Sequence, residues 1–250
     1  MPDAAAVGIF LGITVGVALV WGRSLWYCDE RSQAFRQSVL FAMRYTIRRP
    51  GEVRSLLLSA IYGGGGLLAA LLLSKGYHLG ASGLLSVSGS DIALLILGVI
   101  GEMSLATLIL NISCRLTGQG TPEQFQEVRD IPWMKGLREL PLGTMLLMTA
   151  LGAAVEETLF RGVVLRILTD LLHVSASWAI LYAGGLFLLQ QLALVKTAFQ
   201  AMVISSACIA ISLVGGMLVV RTGSLVVALC CHVTFAIFFM LPAAPKSRAA

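Results

Sequence analysis

The stretch "LGTMLLMTALGAAVEETLFRGVVLRIL", Leu142 to Leu168, is almost continuously apolar, yet it carries Glu156, Glu157 and Arg161 near its middle. A helix crosses a bilayer with roughly 20 mostly apolar residues, because each adds about 1.5 Å against about 30 Å of hydrocarbon. At that depth an ionised side chain costs at least about 2.5 to 3.5 kcal/mol, so such residues face a cavity or each other. The stretch therefore predicts a membrane-spanning helix with a polar site inside it.

The rest of the chain agrees with a membrane reading. Its 250 residues are 57% hydrophobic and 12% charged, with a mean hydropathy of +0.87, a balance that a soluble domain of this length could not keep monomeric in water. The expected fold class is all-α, a polytopic bundle of about seven transmembrane helices. The apolar runs are Ala4 to Trp21, Ser55 to Ser74, Asp91 to Ile112, Leu142 to Leu168, Ala176 to Val195, Ala198 to Val220 and Ser224 to Leu241. The first has its arginine after the apolar run rather than before it, the reverse of a cleavable signal peptide, and is expected to be retained. In the second, "YGGGGLLAA" permits close helix contact or a local kink and has no resemblance to a phosphate-binding loop.

A net charge of +5 does not point to nucleic acid, since the basic residues gather in short stretches between apolar runs. Lysine and arginine mark the cytoplasmic side of a membrane. Arg23, Arg31, Arg36, Arg44, Arg48, Arg49 and Arg54 follow the first run, whereas only Lys75 follows the second. Arg115, Arg129, Lys135 and Arg138 follow the third, and Lys246 and Arg248 lie in the tail. The expected topology places the N-terminus outside and the C-terminus in the cytoplasm. "SLWYCDERSQAFRQSVLFAMRYTIRR" reads either as a helix lying on anionic lipid or as a solvated basic connector. The expected organisation is an N-terminal transmembrane region over 1–116 with its basic loop, a polar connector over 117–139, a membrane domain over 140–241 and a basic tail over 242–250.

Helix geometry separates the two adjacent acids. Glu157 and Arg161 are spaced i, i+4 with the acid first, the better order for an ion pair. Glu156 lies about 100° further round, with Phe160 at its own i+4 position, so it lacks that partner and is available as a base. An alternative is that all three form one buried ionic network. Glu102 has no basic residue within a turn, and a polar contact between helices is its expected role. Of the three histidines, His78 and His173 fall in expected loops, and His232 lies inside an apolar run. With no HExxH or GxSxG present, neither a zinc nor a serine protease is indicated. The five cysteines, Cys28, Cys114, Cys208, Cys230 and Cys231, have no metal-ligand spacing, and no metal or other cofactor is expected.

These residues resemble the CPBP intramembrane proteases, also called the Abi or CAAX-protease family. Its first motif, EExxxR, commonly continued as FRG, is matched by "EETLFRG" at Glu156, Glu157, Arg161 and Gly162. The second motif, FxxxH, aligns with "FLLQQ", giving Phe187 and then Gln191 in place of histidine. The third is a histidine followed four residues later by asparagine or aspartate; His232 matches the histidine, after "GGMLVVRTGSLVVALCC", but Ala236 occupies the later position. The resemblance runs from about Leu140 to Met240. It implies a glutamate-type endopeptidase without metal, in which Glu156 is the general base, Glu157 and Arg161 a supporting ion pair, Gln191 the holder of the water and His232 an oxyanion donor.

The implied partners are a membrane-anchored peptide or protein substrate and the lipid bilayer, with no nucleic acid, and the implied location is a bacterial plasma membrane. Family substrates include prenylated C-termini, bacteriocin leaders and C-terminal sorting tails. The alternative is a catalytically impaired relative that acts as a membrane scaffold or immunity-type binding protein. A transporter using Glu102 and Glu156 as proton carriers is the least favoured reading, because no inverted repeat is legible.

Overall fold

The computed structural model describes residues 4–79 and 85–241. The tail, with Lys246 and Arg248, lies outside the described residues. The chain is 85% helical with no strand among the described residues, an all-α polytopic membrane bundle. Its elements are α1 (Ala4–Glu30), α2 (Gln33–Ala42), α3 (Pro50–Gly76), α4 (Gly89–Thr117), α5 (Pro122–Arg129), α6 (Pro132–Arg138), α7 (Leu142–Glu157), α8 (Ala176–Leu192), α9 (Ala198–Thr222) and α10 (Leu225–Met240). Past α7 the same rod continues in π-helical winding over Thr158–Leu165 and Ile167–Leu171.

Five segments are long and apolar enough to cross a membrane: Ala4–Cys28, Pro50–Gly76, Asp91–Thr117, Leu142–Leu171 and Ala198–Thr222. The other two apolar runs are also helical, but α8 and α10 have only 17 and 16 residues, short of the other five. At 1.5 Å per residue they reach about 24 to 26 Å. Both pack against α9, the central helix, whose apolar window is 67% buried, whereas that of α4 is only 17% buried and presents leucines and isoleucines outward. The molecule is a multi-pass integral membrane protein.

One end of the bundle collects most of the basic residues. There, Lys196 at the start of α9 bonds Glu30 at the end of α1, Arg138 of α6 donates to the Phe239 and Met240 carbonyls of α10, and Gln200 of α9 donates to the Glu127 carbonyl of α5. The stretch expected to be a polar connector holds two short helices. Each begins with proline at its first position, where the missing N–H costs nothing, and Thr121 and Gln124 form a capping box for α5. Ile131 and Met134 at the start of α6 are fully buried, so this segment belongs to the core. On the membrane flank, α2 buries Phe35 and Val39 against Val53 of α3.

The glycine tract of α3 serves close contact: the helix runs unbroken through it. A side chain at Gly66 would start 2.7 Å from Cζ2 of Trp21, so the indole of α1 lies directly on the α3 backbone.

Candidate active site

Glu156 and Glu157 are the last residues of α7, and the backbone changes from α to π winding at Thr158. A π turn widens the hydrogen-bonded ring to i→i+5 and occurs frequently at functional positions. All the polar groups here are buried: Glu157 is 0% exposed, Arg161 1%, His232 4%, Glu156 7% and Gln191 8%. Charges at such depth require partners, and the distances identify them.

Glu157 Oε1 lies 3.1 Å from Arg161 Nη1, an ion pair not aligned as a hydrogen bond, and 2.8 Å from His232 Nδ1. A carboxylate only accepts, so Nδ1 carries the proton in this contact. Arg161 also donates from Nη2 to Ser212 Oγ at 3.2 Å, and its guanidinium lies 5.1 Å over the Phe187 ring. Glu157 thus does more than neutralise Arg161: it also sets the orientation of the imidazole on α10. The opposite ring nitrogen, Nε2, stands 3.5 Å from Glu156 Oε2. The other oxygen of Glu156, Oε1, accepts from Gln191 Nε2 at 2.7 Å and from the Tyr62 hydroxyl.

Glu156, Gln191 and His232 therefore meet at one point, with Phe187 edge-on to His232 at 5.8 Å. Ala236, one turn after His232, lines the same cavity and supplies no polar group. The other two histidines, His78 and His173, are exposed. Among the described residues no group of three His, Cys, Asp or Glu side chains is placed to hold a metal.

The cavity has a volume of about 560 Å³. It runs between α3, α7 and α10 from Glu156 and His232 to the basic end, where Glu30, Arg54 and Lys196 stand. Lys196 Nζ donates to Glu30 Oε1 at 2.6 Å, and this bond holds the Glu30 carboxyl below its usual range. Apolar side chains, leucines, alanines and phenylalanines foremost, together with four glycines form most of the remaining wall, which suits an apolar ligand better than a polar one.

Two further residues stand out beside this site. Glu102 is fully buried, but among the described residues neither of its oxygens has a hydrogen-bond partner, in place of the expected interhelical polar contact. Its Oε1 and Glu157 Oε2 both approach Gly215, at 3.9 and 4.0 Å from where a side chain there would begin. A buried polar group without a partner costs about 1 to 3 kcal/mol. Glu102→Leu, similar in volume, is therefore expected to raise the unfolding midpoint in detergent, by a gain of about 1 kcal/mol or more. A lower midpoint would contradict this account of Glu102.

Tyr62 is the second. It reaches Glu156 from 94 positions away on α3, and in the sequence "YGGGG" is marked by its glycines rather than by its tyrosine. No local signal marks it; only the pairing of α3 with α7 does.

Residues 138–238 match the family model described as type II CAAX prenyl endopeptidase Rce1-like. No curated protein and no solved structure matches the chain. The matched segment begins at the end of α6 and holds Glu156, Glu157, Arg161, Gln191 and His232 together with the helices that carry them. The match over residues 138–238 supports a likeness of this segment to the CPBP/CAAX family of intramembrane proteases.

Proposed function

We propose that the protein is a glutamate-type intramembrane endopeptidase that cleaves a membrane-tethered peptide entering the cavity from the basic end, which faces the cytoplasm. The observation that carries this reading is the asymmetry of Glu156. Its Oε1 is occupied by two donors, while Oε2 stands 3.5 Å from His232 Nε2 beside a cavity that can admit a peptide.

In the proposed step, a water bound against Oε2 gives its proton to Glu156 as its oxygen adds to the scissile carbonyl. When the carbon–nitrogen bond breaks, the same proton passes to the departing amine. His232 faces the carbonyl oxygen with Nε2, its Nδ1 proton being engaged by Glu157. To donate to the oxyanion the ring carries both protons, and the charges then balance: two carboxylates against Arg161 and the imidazolium. Gln191, donating from its amide nitrogen to Oε1, orients the base without exchanging a proton, because a carboxamide does not titrate.

The basic end as cytoplasmic follows from the excess of lysine and arginine there. The test is to reconstitute the full chain in liposomes with prenylated, leader-type and sorting-tail peptides and to weigh the fragments. Two fragments whose masses sum to the peptide plus one water are expected, and intact peptides throughout would overturn the proposal.

Ala236 favours a second reading, a family relative that binds such peptides without cutting them, since one expected oxyanion donor is missing. Removing such a donor costs about 10²- to 10³-fold in other hydrolytic sites. Ala236→Asn is accordingly expected to raise the cleavage rate by about tenfold or more, measured as kcat on the same peptides. A flat response across all peptides, with no cleavage by the native chain, supports the binding protein instead.

A further inference from the structure

The first three long helices lie outside the matched segment, yet one of their side chains touches the candidate base. We infer that Tyr62 is a positioning residue for Glu156, so that the N-terminal half of the chain completes the active site of the C-terminal half; the inference rests on the endopeptidase reading above.

Three observations converge on Tyr62. Its hydroxyl donates to Glu156 Oε1, the oxygen that also accepts from Gln191 Nε2 at 2.7 Å, and the same amide nitrogen lies 3.5 Å from the phenol oxygen. Two donors on one carboxylate oxygen fix the carboxyl plane, and this leaves Oε2 as the oxygen turned toward His232 and the cavity.

The phenol is itself held. Its ring stacks on Trp21 at 4.6 Å with 27° between the planes, and Trp21 Nε1 donates to the Tyr62 carbonyl at 3.1 Å. The glycines that follow Tyr62 make this possible, because a side chain at Gly65 would begin 3.2 Å from the indole and one at Gly66 closer still. The "YGGGG" stretch is thus a single device: the tyrosine faces the base, and the glycines behind it admit the indole that locks the tyrosine.

The sequence departs from the family pattern at Gln191, an amide that can orient a carboxylate but cannot serve as a titrating partner. Tyr62 stands against the same oxygen and supplies the second fixed donor there. With Tyr62 absent, Gln191 alone leaves the carboxyl free to turn about its last bond, and a misplacement of about 1 Å at a reacting centre can cost about 10²-fold.

The test compares Tyr62→Phe, Gln191→His and the double variant in proteoliposomes. Y62F is expected to lower kcat by about 10²-fold with KM little changed and the unfolding midpoint near that of the native chain. Q191H is expected to restore at least about tenfold in the Y62F background and to do far less in the native one, the non-additivity that marks two residues sharing one task. Unchanged kcat in Y62F, a loss confined to KM or stability, or equal effects of Q191H in both backgrounds would overturn the inference.

If the native chain cleaves nothing, the endopeptidase reading fails, and Tyr62 is judged separately by infrared spectroscopy. The band of Glu156 is assigned by its loss in Glu156→Gln. A shift of that band in Y62F supports the positioning contact, and an unmoved band overturns it.

Discussion

Glu156→Gln is expected to lower cleavage by about 10²- to 10⁴-fold, the range that a positioned acid–base group contributes, while the helical bundle stays intact. The substitution is nearly isosteric, and its remaining amide oxygen can still accept from Tyr62 and from Gln191 Nε2, as Oε1 does at 2.7 Å in the native chain. What changes is the other atom. An NH₂ replaces Oε2 beside His232 and can take no proton from water. The packing consequences are therefore small and the chemical one large. The measurement is kcat on a membrane-tethered peptide with the unfolding midpoint recorded alongside. Cleavage at the native rate would remove Glu156 from the mechanism, and a collapsed midpoint would show its role to be structural.

Arg161→Met is expected to destabilise the protein by about 3 to 5 kcal/mol, because it leaves the Glu157 carboxylate, 0% exposed, without its compensating cation. It also removes the donor to Ser212 Oγ and the cation over Phe187. The double variant Glu157→Gln with Arg161→Met removes both charges and is expected to recover most of that stability. It is not expected to recover activity, since the bond from His232 Nδ1 to a carboxylate, 2.8 Å in the native protein, is then lost and the imidazole is no longer oriented by a charge. Unfolding midpoints in detergent and kcat together separate these effects. A single Arg161→Met variant as stable as the native chain would refute the account of the buried pair.

The features readable from the sequence are those governed by local chain geometry. Hydropathy over about 20 residues located the apolar helices, because crossing hydrocarbon is a requirement on a continuous segment. The i, i+4 spacing of Glu157 and Arg161 anticipated their contact, because a helix face is set by residues one turn apart. Where the reading fell short, local signals were ambiguous. The polar stretch over 117–139 reads as a connector although Pro122 and Pro132 are also favoured first helical residues, and π winding after Glu157 leaves no periodicity distinct from α over so few residues.

By itself, then, the sequence determined that this is a helical membrane protein, which segments are apolar, and that two carboxylates and an arginine lie at membrane depth. Only the tertiary structure decided what each carboxylate touches. His232 comes to Glu157 across 75 positions, Gln191 to Glu156 across 35 and Tyr62 to Glu156 across 94. Such contacts depend on how whole helices pack and rotate against one another, and no spacing along a single helix encodes that. The division between Glu157, which anchors Arg161 and His232, and Glu156, which keeps one oxygen toward the cavity, is accordingly a property of the assembled bundle.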